Sequence, residues 1–303
     1  MNWSHTEQLA INGKFIGSQI RQYILENTLQ RVELTREPNS YITTYLFRDG
    51  DISDLINHSN QLLRQTADFV QKYRTSDEDL RIYWFPTPFK KTMPEVAKES
   101  LDVDEINSAC TFHYPNNRFI SLYRYEEAPK VLFHELIHFY HLDLPLRADY
   151  DTYIIQKYNI RAPCILKETY SEIVGCLLNI DRVSNDTGIP FQVLYSIEEA
   201  FMLYQVQKIL NYYHVHKIAD LGKIKSDTNL ITYFPMKLAF LLAIDNPEEY
   251  LAELKRRKLV IENPQFIIDT IEKGLVKLFS TPSIVKDVPP ELTNTLRMTI
   301  VQD

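Results

Sequence analysis

Residues 131–139 have the sequence VLFHELIHF, which contains the pattern H-E-x-x-H with histidines at positions 134 and 138. Apolar residues surround both histidines, so the segment is predicted to form a buried helix. Residues four apart share one helix face, about 6 Å apart along the axis, so His134 and His138 can bind one metal ion. Glu135 lies about 100° round the helix, beside the metal but not among its ligands. It is therefore predicted to take a proton from a zinc-bound water, whose pKa falls to about 7.

A catalytic zinc with two histidine ligands needs a third protein ligand. His141 is one candidate, but on a straight helix it lies about 10 Å along the axis from His134, and no glycine breaks the helix to bring it back. We therefore predict that His141 is a helix-end or cleft-rim residue. Glu168 is the preferred ligand, because it lies on the next predicted helix, which is also largely apolar. Glu172, one turn further on, is predicted to accept the other ring N–H of a ligand histidine, with His134 preferred over His138.

The segment around Glu168 also carries a family resemblance. Residues 168–175, ETYSEIVG, resemble the E-x-x-S-D-I-x-G segment that follows H-E-x-x-H in the thermolysin-like gluzincin zinc peptidases. Residues 107–109, Asn-Ser-Ala, weakly resemble the N-A-x-x segment of the edge strand that binds substrate in those enzymes. The resemblance covers roughly residues 80–180. It departs from the family at Glu172, where Asp is usual, and at Lys167, where the family has Asn.

This resemblance implies one zinc ion per chain, held by His134, His138 and Glu168, with Glu135 as the general base and Glu172 supporting a ligand histidine. It further implies a zincin-like fold, in which the edge strand of a mixed sheet holds an extended peptide and a mainly helical lobe follows.

Hydrolysis through such a site creates an oxyanion, which needs a hydrogen-bond donor from the second lobe, usually a His or a Tyr. His214, His216 and Tyr233 are the candidates. The two histidines fall at a predicted helix end. Tyr233 precedes Pro235, where a new helix is predicted to begin and where a side chain can more easily face a cleft. Tyr233 is therefore the preferred donor, and both histidines remain alternatives.

The order of the predicted elements indicates an α+β fold. Residues 30–35 fit either a strand or a helix end. Strands are predicted at 41–48, 80–85, 108–114 and 119–125, with a turn at 115–117 joining the last two. Helices are predicted at 53–73, 129–143, 164–180, 191–216, 235–244, 247–258 and 264–279. This order divides the chain into an α+β lobe (1–145), a helical lobe with the third ligand (146–280) and an extended tail (281–303).

Composition excludes several classes of function. The chain has 303 residues, and 33 basic against 40 acidic residues give a net charge of −7 without a basic stripe, so nucleic-acid binding is not expected. The basic run at 255–258 is predicted to complement a helix C-terminus. No apolar run reaches the length of a signal peptide or a membrane span. Three cysteines with no pairing pattern predict free thiols, although Cys164 lies near a helix start, where the pKa of a thiol can be lowered. A cytoplasmic protein is expected.

The residues therefore favour a zinc metallopeptidase that acts on a peptide or protein substrate. A non-catalytic interaction or structural protein with a metallopeptidase-like fold is the main alternative, although metal binding alone does not require Glu135. A zinc hydrolase of non-peptide amides is a third possibility.

Overall fold

The computed structural model describes residues 3–27, 29–36, 39–48, 53–94, 98–115, 117–143, 146–282 and 290–302. The strands are β1 (Gln30–Arg36), β2 (Asn39–Arg48), β3 (Leu80–Thr87), β4 (Ala109–Tyr114) and β5 (Asn117–Arg124). The helices are α1 (His5–Ile11), α2 (Ser18–Glu26), α3 (Ile56–Tyr73), α4 (Val103–Ile106), α5 (Ala128–Phe139), α6 (Ala148–Tyr158), α7 (Leu166–Thr187), α8 (Phe191–Tyr212), α9 (Lys237–Ala243), α10 (Pro247–Arg256), α11 (Pro264–Ser280) and α12 (Pro290–Thr293). The predicted α+β class is confirmed.

Contacts along the chain define two compact units. The first consists of residues 1–90 and 107–141, and the second of residues 91–106 and 142–303. The predicted boundary between the two lobes lies at residue 145. Residues 144 and 145 are outside the described residues, so the division into lobes stays a prediction. Asn116, in the predicted turn between β4 and β5, also lies outside them.

The first unit is built on a five-stranded mixed sheet with the order β1-β2-β3-β5-β4. The three central strands are parallel, and the strands at both ends pair antiparallel to their neighbours. Side chains alternate between the two faces of a strand. On β4, Phe112 accordingly joins an apolar core with residues of α1 and α2, whereas Thr111 faces α5. The sheet thus supports α5 on one face and α1 and α2 on the other.

The second unit is helical, and α9 lies at its centre. This helix packs against α7, α8 and α11. The helix predicted to begin at Pro235 begins earlier, because Thr232–Met236 form a π-helical turn that leads into α9. Proline cannot donate the i→i−4 hydrogen bond and its ring crowds the preceding turn, and the wider turn accommodates it. Helix α6 falls in a segment for which the sequence predicted no element.

Helices α9 and α11 approach so closely that Gly274 has no room for a side chain. A Cβ built on Gly274 would lie 1.6 Å from the carbonyl oxygen of Ala239. Because that oxygen belongs to a helix backbone, we expect Gly274→Ala to destabilise the protein by about 1–3 kcal/mol or more, despite the better helix propensity of alanine. Urea unfolding followed by circular dichroism measures the effect. Val276→Ala, at an exposed position of the same helix, is the control. Equal stability of Gly274→Ala and the wild type would contradict this packing.

Candidate metal centre

Helix α5 carries the H-E-x-x-H residues in an almost wholly buried setting. Its apolar residues fill both the side facing the sheet and the side facing α3, and Pro129 lies in its first turn, where its missing N–H is not needed. His134 and Glu135 are buried, and His138 is half-buried. Polar groups in such a helix need partners, because burying them without hydrogen bonds or a metal costs free energy.

The two histidines of α5 are spaced as ligands of one metal ion would be. Their Nε2 atoms lie 3.1 Å apart, and their rings are close to perpendicular. A tetrahedral zinc ion with Zn–N bonds of about 2.0–2.1 Å separates two nitrogen ligands by about 3.3 Å. The pair therefore fits a shared metal with little adjustment.

Glu168 completes a group that could hold a metal ion. One ligand atom from each of His134, His138 and Glu168 lies within 4.8 Å of the other two. Two imidazoles and a carboxylate are a donor set that suits a catalytic zinc ion, which uses three protein ligands and keeps one position open.

The carboxylate of Glu135 is held by the edge strand of the sheet. The Thr111 hydroxyl lies 2.7 Å from Glu135 Oε2 and 3.0 Å from the Glu135 carbonyl oxygen. This contact fixes the rotamer of Glu135 beside the two histidines. The sequence interpretation missed Thr111, and the only signal for it was its position on the inward-facing side of a predicted strand.

Helix α7 presents Glu168 from its first turn, where a negative charge is favoured. Asp151 of α6 caps this helix, because its Oδ1 accepts a hydrogen bond of 2.7 Å from the Leu166 N–H. The Tyr233 hydroxyl donates a hydrogen bond of 2.9 Å to Glu168 Oε2. Tyr233 lies in the π-helical turn, a local structure that is frequent at functional sites. Of the three candidate oxyanion donors, Tyr233 thus contacts a candidate ligand, whereas His214 and His216 are exposed.

Glu172 has a partner that the sequence did not predict. Its carboxylate lies 3.2 Å from Lys237 Nζ, and Glu198 lies 3.5 Å from the same nitrogen. All three side chains are buried, with at most 1% of each exposed. Burial alone would lower the pKa of Lys237, but the neighbouring groups, Cys176, Glu172 and Glu198, raise it above its usual range. The lysine is therefore charged. The contact of Glu172 with a ligand histidine stays a prediction.

The structure places His141 directly after α5, as a helix-end residue. It adopts a left-handed conformation with φ of 53°, and its ring stacks on that of His113 at 4.9 Å. The left-handed turn ends the helix, so His141 no longer follows the face that carries His134 and His138.

The burial and ion pairs of Cys164 and of the basic run at 255–258 account for these groups without a reactive or binding role. None of the three cysteines forms a disulfide. Burial raises the pKa of the Cys164 thiol to about 12, so its position near a helix start does not make it reactive. In the basic run, Lys255 pairs with Asp181 at 2.6 Å, and Arg256 and Arg257 both pair with Glu253.

Within the part of the chain that the structure describes, no helix combines the length and the apolar composition needed to cross a membrane.

Comparisons with known proteins give no relatives from which a function could be transferred. No family model matches the sequence, and the searches of curated proteins and of solved structures give no significant match.

Proposed function

We propose that this chain is a zinc-dependent metallopeptidase of the gluzincin type, with a zincin-like fold. The proposal is carried by the group of His134, His138 and Glu168, whose ligand atoms lie within 4.8 Å of one another. Glu135 supports a catalytic role, because a purely structural metal site has no use for a carboxylate that follows the first histidine ligand directly.

A zinc ion in this site would supply Lewis acidity toward a water molecule and a substrate carbonyl. Glu135 acts as the general base and takes the proton of the attacking water at its carboxylate. Thr111 keeps that carboxylate in place through the hydrogen bond to Oε2. As the water oxygen bonds to the carbonyl carbon and the C–N bond breaks, Glu135 returns the proton to the leaving amine nitrogen.

The oxyanion that forms at the carbonyl needs a donor, and we propose Tyr233. Its hydroxyl contacts Glu168, so it lies one side chain away from the proposed metal. A phenol has one O–H donor and no charge, so Tyr233 would turn that proton from Glu168 to the oxyanion as negative charge develops there.

The substrate we propose is an extended peptide or a segment of a protein. Strand β4 ends the described sheet, and its Thr111 holds Glu135. An edge strand can pair with an added strand through its backbone N–H and C=O groups. A peptide bound there lies beside the general base, and the net charge of −7 gives no basis for nucleic acid as a partner.

Metal analysis together with peptide cleavage tests this function. Protein purified without added metal is expected to contain one zinc per chain by elemental analysis. It is expected to cleave a mixed peptide library, to lose this activity to a chelator and to regain it with zinc. Absence of zinc would contradict the metal centre. Bound zinc without cleavage of any peptide would instead favour the non-catalytic alternative or another amide substrate.

A further inference from the structure

Two polar contacts join α7 to the segment that contains the π-helical turn and α9. Tyr233 contacts Glu168 at 2.9 Å, and Lys237 contacts Glu172 at 3.2 Å. The two residues of each segment are four positions apart, so each pair lies on one helix face. Together the contacts fix the register and the rotation of α7 against α9, and therefore the direction of the Glu168 carboxylate.

Two further groups, the Met298 carbonyl and the Glu198 carboxylate, contact the ammonium of Lys237. Its ammonium donates to the Met298 carbonyl oxygen at 2.5 Å and lies 3.5 Å from Glu198 of α8. Lys237 and Glu198 are both fully buried. A buried ammonium with three such acceptors has little freedom to move, so it is a rigid support for Glu172.

The C-terminal segment, residues 294–302, completes this support. Glu198 Oε2 accepts hydrogen bonds from Thr299 Oγ1 at 2.8 Å and from the Ile300 N–H at 3.0 Å. Asn179 of α7 donates to the Val301 carbonyl oxygen at 2.8 Å. The segment thus contacts both α7 and the residues that hold Lys237, although it is remote in sequence from the H-E-x-x-H pattern.

We propose that Lys237, supported by the C-terminal segment, is a positioning residue for the metal centre. It holds Glu172 and so fixes the turn of α7 that presents Glu168 to the metal. This inference rests on the proposed function, since it assigns Lys237 a role only if Glu168 binds the metal. Lys237 contacts neither substrate nor metal in this role and acts through Glu172.

Lys237→Met tests the proposal, because methionine keeps much of the volume and removes the charge and the hydrogen bonds. We expect zinc affinity, measured by competition with a chromophoric chelator, to fall about 10–100-fold, as is typical when a group that orients a ligand is lost. Cobalt-substituted protein reports the same change, since its visible spectrum depends on the geometry of the ligands. Lys237→Arg keeps the charge and is expected to restore much of the affinity.

Lys208→Met is the matched control. Lys208 also anchors the end of the chain, through the carbonyl oxygens of Leu292 and Thr295, but within the described residues it forms no hydrogen bond or ion pair with α7. It is expected to lower the stability of the metal-free protein and to leave zinc affinity and the cobalt spectrum unchanged. An equal loss of affinity in Lys208→Met and Lys237→Met would show a general effect of stability and overturn the proposal.

Two further measurements of zinc affinity separate the role of Lys237 from the metal centre itself. Wild-type affinity in a folded Lys237→Met variant would overturn the role of Lys237 and leave the metal centre intact. A wild-type chain that binds no zinc would overturn the metal centre, and this role with it. If Lys237→Met does not fold, Glu172→Ala takes its place, because it breaks the same contact and keeps Lys237 beside Glu198. A loss of zinc affinity of about 10–100-fold with a changed cobalt spectrum supports action through Glu172, and wild-type affinity overturns it.

Discussion

Glu135→Gln is expected to keep the fold and the bound zinc and to lower the rate of peptide cleavage by about 10²–10⁴-fold. Glutamine has nearly the volume of glutamate and can still accept the hydrogen bond from Thr111, so packing and metal geometry should persist. It cannot accept a proton, however, and the attacking water is then not activated. The measurement is cleavage of a mixed peptide library by wild type and variant, with zinc content determined on both.

The outcome of this substitution separates the proposed enzyme from its alternatives. If Glu135 is only a buried polar group, its replacement changes the stability of the protein and not its chemistry. Equal cleavage by wild type and variant would assign the activity to a contaminant or to another site. Thr111→Val is a useful companion variant, since it removes the hydroxyl that holds Glu135 while keeping a β-branched side chain in the strand.

His138→Ala is expected to abolish zinc binding at sub-micromolar zinc. The variant removes one of two nitrogens that lie 3.1 Å apart, and the remaining donors are too few for a tightly bound zinc ion. Zinc stoichiometry after dialysis against a weak chelator measures the effect. Glu168→Ala in the same series tests the third ligand.

His141→Ala is the matched control for this experiment. It changes the same residue type three positions further along the chain, outside α5, where the ring stacks on His113. It should keep one zinc per chain. Loss of zinc in His141→Ala but not in Glu168→Ala would show that the third ligand has been assigned wrongly, and unchanged zinc in His138→Ala would remove the proposed metal centre.

The sequence by itself determined the local features of the site. The rise and turn of an α-helix are fixed, so the spacing in H-E-x-x-H was enough to predict that two imidazoles share a face. The structure has their Nε2 atoms 3.1 Å apart. The strands at 41–48 and 108–114 were equally local, because alternation and turn residues act over a few positions. The helix predicted to run to residue 143 ends earlier, at Phe139.

Only the tertiary structure decided which elements meet. The parallel pairing of β2, β3 and β5 joins segments far apart in the chain, and no pattern within one strand specifies its neighbour. The contact of Thr111 with Glu135 follows from that sheet order, since it brings an edge-strand residue to α5. Periodicity indicates which face of an element is buried, but it does not identify the partner of that face.

Lys237 shows the same limit most clearly. In the sequence it is a lysine at the start of a predicted helix, and such a residue is usually solvated. In the fold it is fully buried between Glu172 and Glu198, and the end of the chain supplies another acceptor. A buried charge is stable only where partners from several elements converge on it. That convergence is a property of the packed helices, which is why the sequence located the residues of the candidate metal centre but not Lys237, which holds Glu172.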